Sequence, residues 1–200
     1  VATSPAADTW LNSSTFNFQG TASDGTGSGV ATVYWVESAR GTGAPPKGDA
    51  AWQEATVGTG TWSASVEIGA PGERELHLYS VDAAGNDGSI ATHNFGLDQA
   101  APSVSTTGGA ATQYVNGDFT IGGTYSDASG IASIDVESSP DNAVFSPADP
   151  ATATDLGGGD WSWNRVTGSQ VDGTYYYRFT FTDLAGNSSQ VTKTINLDST

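Results

Sequence analysis

Asp82-Ala83-Ala84-Gly85-Asn86 and Asp183-Leu184-Ala185-Gly186-Asn187 are one five-residue pattern written twice, 101 residues apart. Working upstream, Ala22-Ser23-Asp24 matches Tyr125-Ser126-Asp127 at an offset of 103. Both are followed by Ser-Gly and an aliphatic residue, Ser28-Gly29-Val30 and Ser129-Gly130-Ile131. Downstream, Gly96-Leu97-Asp98 matches Asn196-Leu197-Asp198 at an offset of 100. A nearly constant offset at three separate places means internal duplication. The period is too long for a solenoid unit and suits a whole sandwich domain.

Between these anchors the apolar residues alternate with period two. Phe16 and Phe18 match Phe119 and Ile121; Val33 and Trp35 match Ile134 and Val136. Leu76 and Leu78 match Tyr177 and Phe179, and Phe95 and Leu97 match Ile195 and Leu197. One buried and one wet face is the antiparallel pattern. Turn signals such as Gly25-Thr26-Gly27, Ala70-Pro71-Gly72 and Asp172-Gly173 separate the runs. The expected fold is all-β: two tandem immunoglobulin-like antiparallel β-sandwiches, residues 1–98 and 99–200. In sandwich lettering the first repeat has strands A near 8–12, B at 15–23, C at 30–37, D near 51–56, E at 61–68, F at 73–81 and G at 89–97. The second has A near 112–115, B at 118–126, C at 131–138, E at 160–166, F at 174–182 and G at 189–197. Gly41 to Gly48 and Pro140 to Pro150 read as long irregular loops, with strand D short or absent.

Composition agrees. Gly is 26 of 200 residues, which suits many turns, and six Trp, seven Tyr and seven Phe can build cores from few side chains. The formal net charge is −16 with only six Lys plus Arg. Such a surface repels phosphate backbones and anionic membranes, and no apolar run reaches the length of a span, so neither nucleic acid nor membrane insertion is expected. It favours hard divalent cations, although acidity also serves solubility alone. Cysteine is absent, which removes disulfides, zinc–thiolate sites and a thiol nucleophile. With no initiating Met and no signal peptide, the chain reads as a monomeric fragment excised from a longer array.

In a sandwich of this topology the B–C and F–G loops share one end, where strand A enters. Asp127 belongs to the B–C loop of the second repeat, Asp183 and Asn187 to its F–G loop, and Asp98 to the connection arriving there. These side chains are expected to gather, and close carboxylates with no Lys or Arg nearby need a cation. Calcium fits, since it takes six to eight oxygens in flexible geometry. The competing reading is that the Asp of each pentad only closes a turn, with Gly in the left-handed region. The first repeat holds an equivalent half-site, Asp24, Asp82 and Asn86. There Val1 stands where Asp98 would, and Asp8 is the available substitute.

The pentad turn, the Ser-Asp loop and the Leu-Asp linker followed by Pro102 resemble the bacterial immunoglobulin-like repeats of large surface adhesins. The resemblance covers both halves. It implies a non-catalytic structural extender of a bacterial secreted or cell-surface protein, extracellular or on the cell surface. Neighbouring Ig-like repeats would be its partners, and other domains would engage glycan or host ligands. It also implies calcium at the junction, held by Asp98, Asp127, Asp183 and Asn187, with Asp24, Asp82 and Asn86 at the other end. On this view residues 98–111 are a mobile hinge without metal and are tied down with it.

Two other classes compete. A carbohydrate- or ligand-binding accessory module of a secreted protein or hydrolase would use solvent-facing aromatics, for which Trp52, Tyr175 and Tyr176 are the candidates. An enzyme is not expected: the chain has neither Gly-x-Ser-x-Gly nor His-Glu-x-x-His. Of its two histidines, His77 is out of phase with Leu76 and Leu78 and reads as a wet surface group. His93 aligns with Lys193, so its role is not shared between halves. Lys193 itself is in phase with Val191 and Ile195, which leaves an intramolecular Lys–Asn isopeptide bond conceivable.

Overall fold

A computed structural model describes residues 1–168 and 170–200. The chain divides into two compact units, Val1–Gln99 and Ala100–Thr200. Among the described residues there is no helix.

In the first unit a four-stranded sheet runs in the order β1 (Ala2–Ser4), β3 (Thr15–Thr21), β7 (Thr61–Glu67), β6 (Thr56–Val57). A five-stranded sheet runs β2 (Thr9–Leu11), β9 (Ala91–Leu97), β8 (Gly72–Asp82), β4 (Val30–Ala39), β5 (Gln53–Glu54). The second unit repeats this plan. Its four-stranded sheet is β10 (Ser103–Thr106), β12 (Phe119–Ser126), β16 (Asp160–Arg165), β15 (Thr154–Gly157). Its five-stranded sheet is β11 (Gln113–Val115), β18 (Ser188–Leu197), β17 (Gly173–Asp183), β13 (Ile131–Ser139), β14 (Ser146–Thr152).

Each core is filled by the inward half of the alternation. Phe18, Val66, Leu76 and Leu97 are sealed in the first unit; Trp161, Trp163, Phe179 and Ile195 in the second. Aromatic rings supply most of the second core: Trp161 meets Phe179 at 4.7 Å and Trp163 meets Tyr177 at 5.0 Å between centroids. Such tilted and edge contacts add to plain burial.

Strand A is divided between the two sheets of each unit. Its first half, β1 or β10, pairs antiparallel with β3 or β12. Its second half, β2 or β11, pairs parallel with β9 or β18. The sequence reading contains only the second half. The hinge expected over 98–111 is corrected accordingly, because Ser103–Thr106 is a strand with four paired residues. A glycine makes this pairing possible. A Cβ on Gly123 would lie 1.9 Å from the Ser105 carbonyl oxygen, and one on Gly20 would lie 2.1 Å from that of Val1. Trp161 Nε1 donates to the same Ser105 oxygen at 3.2 Å.

The 140–150 loop is also more ordered than its composition suggests. Its later part enters β14, which pairs with β13, and β15 follows against β16. The 41–52 loop of the first unit folds over the outer face of the five-stranded sheet. Trp52 lies edge-on to Tyr79 at 4.7 Å and donates Nε1 to the Pro46 carbonyl at 3.0 Å. Lys47 sits over the same Tyr79 ring at 5.3 Å.

His77, on that outer face, is not a wet group: it is 3% exposed. Its ring lies 3.1 Å from Thr92 Oγ1, 3.4 Å from Ser38 Oγ and 3.3 Å from a Glu75 carboxylate oxygen. Neighbours on the flanking strands roof it over, which strand phase alone does not reveal.

Candidate metal centre

In the second unit the B–C loop (127–130) and the F–G loop (184–187) meet at one end. The Leu184 amide donates to the Gly130 carbonyl at 3.0 Å, and Ile131 pairs with Asp183. Asp127 Oδ1 accepts from the Ser129 and Gly130 amides at 3.0 and 2.9 Å and from Ser129 Oγ at 2.9 Å. Asp183 is 1% exposed. Its Oδ1 accepts the Asn187 amide at 2.7 Å, and its Oδ2 accepts Asn187 Nδ2 at 2.9 Å. Gly186 has φ 89°, which closes the turn. The turn reading of the pentad therefore holds.

The two carboxylates are also neighbours, with one oxygen of each within 4.8 Å of the other. Two like charges at that distance repel by about 3 kcal/mol at an effective dielectric near 20. Among the described residues, no basic side chain forms an ion pair with either. Arg40, Lys47, Arg74, Arg165 and Arg178 pair with other acids, and Lys193 Nζ donates to the Thr107 and Gly109 carbonyls. That Lys193 arrangement is a lysine held by loop carbonyls.

Asp98 follows the last residue of β9. Its amide donates to the Leu11 carbonyl at 2.8 Å, so its backbone belongs to the first unit, and it is 3% exposed.

The first unit builds the same turn. Asp82 Oδ1 accepts the Ala84 and Asn86 amides at 2.9 and 2.7 Å, and Oδ2 accepts Asn86 Nδ2 at 2.9 Å. These bonds, the Asn86 side chain first, hold the Asp82 carboxyl below the usual carboxylate range. Gly85 has φ 88°. Asp24, like Asp127, caps its own loop. Its Oδ2 accepts the Gly29 amide at 3.1 Å, and a Cβ on Gly27 would lie 2.1 Å from the same oxygen. The carboxylate is folded into its own loop. Among the described residues, no third acid, His or Cys gathers with Asp24 and Asp82. Asp8 is no substitute, because its carboxylate turns toward Arg40 at 3.8 Å.

The aromatics nominated for sugar stacking are not a flat exposed platform. Trp52 is 8% exposed. Tyr175 and Tyr176 are half-buried, and Tyr175 donates its hydroxyl to the Val171 carbonyl at 2.7 Å.

Two sheets packed face to face, a divided strand A and a pentad turn at the F–G end define an immunoglobulin-like β-sandwich, present twice. The bacterial Ig-like domain family matches residues 101–199, nearly the whole of the second unit. Among solved structures, the chain is similar to the fibronectin(III)-like modules of Clostridium thermocellum CbhA. That match has 17% identity and a TM-score of 0.54, over 99% of this chain and 93% of that one. It is also similar to titin domains I67–I69, with 13% identity and a TM-score of 0.55, over 96% of this chain and 62% of the titin chain. A tetra-tandem repeat from the extending region of a large adhesion protein matches at 21% identity and a TM-score of 0.41, over 97% of this chain and 50% of that one. No curated protein sequence matches the chain.

Proposed function

We propose that this chain is a non-catalytic extender segment of a bacterial secreted or surface protein, and that calcium binds between Asp98, Asp127 and Asp183 and stiffens the connection between the units. The observation that carries this reading is the Asp127–Asp183 pair, two close carboxylates with no basic side chain between them. Asp98 is the natural third ligand. It is a buried acid that leaves the first unit two residues before Ala100, where the second begins. Asn187, whose amide nitrogen is turned to Asp183, presents its amide oxygen as a further donor.

Strand pairing supports the extender role. β2 runs parallel to β9 and β11 runs parallel to β18, each over three paired residues. Tension along the chain pulls the first and last strands of a unit in opposite directions. Their hydrogen bonds then share the load in shear rather than opening one at a time. Neighbouring Ig-like repeats are the expected partners, and ligand recognition falls to other domains of the parent protein.

The test is thermal unfolding of the whole chain in calcium and in chelator, with Asp98→Asn and Asp127→Asn variants. At ten times the dissociation constant one site adds about 1.4 kcal/mol. For a domain of this size that raises Tm by roughly 5–10 °C. Each variant should lose the calcium-dependent increment. A variant with a lower Tm but an intact increment would mark its residue as structural only. A wild-type curve that ignores calcium would end the calcium reading.

A further inference from the structure

β9 carries His93 where β18 carries Lys193. The two face inward and pair with equivalent residues, Leu76 and Tyr177. Each reaches the point where strand A crosses between sheets. Lys193 Nζ donates to the Gly109 and Thr107 carbonyls at 2.9 and 3.3 Å, between β10 and β11. The His93 ring lies near the Pro5 carbonyl, between β1 and β2, and the carbonyl of the next residue, Asn94, accepts the Asp8 amide at 2.8 Å. Nε2 is buried without a hydrogen-bond partner.

His93 is 8% exposed. Around it stand Phe18 of β3, with ring centroids 6.2 Å apart, Leu76 of β8 and Pro5. Among the described residues, Asp8 is the charged group that acts on it; it is 68% exposed and lies 3.8 Å from Arg40. Protonation of the ring would place a charge in this apolar pocket, with no acceptor for the hydrogen on Nε2.

We propose that His93 is an acid-sensitive latch on the amino-terminal strand of the first unit, and that β1 and β2 open in mild acid while β10 and β11 stay closed. Lys193 makes the difference. An ammonium gains nothing on acidification and already has two carbonyl acceptors. Burial pushes the His93 imidazole below its ordinary value, against smaller opposing effects of Pro5 and Asp8. The sign follows. The closed first unit binds fewer protons than the open one, so its stability is complete above the ordinary imidazole value of about 6.5. It falls as pH drops from there toward the depressed folded value.

Hydrogen exchange on the intact two-unit chain tests this, with rates corrected for the intrinsic effect of pH. Between pH 7.5 and 5, opening of the β1–β2 segment should rise by up to about tenfold per pH unit below 6.5, with β10–β11 unchanged. His93→Gln should abolish that dependence; His77, the other histidine, remains as the internal control. Nuclear magnetic resonance titration of the imidazole in the unaltered chain gives an answer that does not depend on the variant folding. An imidazole that titrates at or above 6.5, equal acid response in both units, or an unchanged response in His93→Gln would each overturn the latch.

Discussion

The pentad turn occurs twice with nearly the same hydrogen bonds and very different burial. Asp183→Ala removes the acceptors of the Asn187 amide at 2.7 Å and of Asn187 Nδ2 at 2.9 Å. Asp183 is 1% exposed, so water cannot readily replace the lost oxygens. A bond to a charged acceptor contributes about 1.5–3 kcal/mol, and a stranded buried donor costs about 1–3 kcal/mol. Relief of repulsion with Asp127 returns part of this, which leaves a net loss of about 3 kcal/mol. For a domain of roughly 100 residues that lowers Tm by about 10–20 °C. Asp82→Ala deletes the same two bonds plus one from the Ala84 amide, at a turn whose residues 83–87 are exposed. Water takes over there, and the loss should be distinctly smaller. Calorimetry in chelator, with the two transitions assigned by unit-specific amide resonances, reads both effects. Equal losses, or a larger loss for Asp82→Ala, would refute the argument that burial sets the strength of this turn.

Two further outcomes follow from close contacts. Gly123→Ala should detach β10, because the new methyl would collide with the Ser105 carbonyl oxygen; about 3 kcal/mol of destabilisation and fast amide exchange over Ser103–Thr106 are expected. Lys193→Met keeps the buried stem and exposes two loop carbonyls to a groove of about 410 Å³ that solvent can enter, so denaturant unfolding should move by less than about 1 kcal/mol. Lys193→Ala also loses three buried methylenes and should cost about 2 kcal/mol more than Lys193→Met.

The alternation is readable wherever one face of a strand is dry and the other wet. Phe16 to Phe18, Val33 to Trp35 and Leu76 to Leu78 announce their strands because the inward residue has no polar alternative. The strands absent from that reading break the condition. β14 holds Ser146-Pro147-Ala148-Asp149-Pro150-Ala151-Thr152, mostly exposed on both sides, at a sheet edge where Pro is tolerated. β1 and β10 are short and polar. Their signal lies in another strand: Gly20 and Gly123 stand at matching places inside β3 and β12, and a glycine in a strand interior marks the close approach of another backbone. His77 fails for a third reason. Strand phase assigns it to the outer face correctly, but exposure there depends on what flanking strands lay over that face, which period-two counting does not contain.

The acidic loops show why a shared motif does not guarantee a shared site. In the second unit Gly130 is the third residue after Asp127, whose Oδ1 caps the loop while one of its oxygens lies within 4.8 Å of an Asp183 oxygen. In the first unit the corresponding step, Asp24 to Gly29, is two residues longer. The extra chain lets the Asp24 carboxylate curl back against Gly27. Closing a turn and holding a cation are not exclusive roles for Asp183: a carboxylate has about four lone-pair sites, and the Asn187 nitrogens occupy two. The units therefore differ not in the pentad, which both fold alike, but in the length of the loop opposite it and in the acids that gather there. That difference was already present in the sequence as the drift from an offset of 103 at Asp127 to 101 at Asp183. It acquires a structural meaning only once the loops are built: the loop Asp accepts an amide of its own loop in both units, from Gly29 at Asp24 and from Gly130 at Asp127, and the longer first loop does so with Gly27 against the carboxylate.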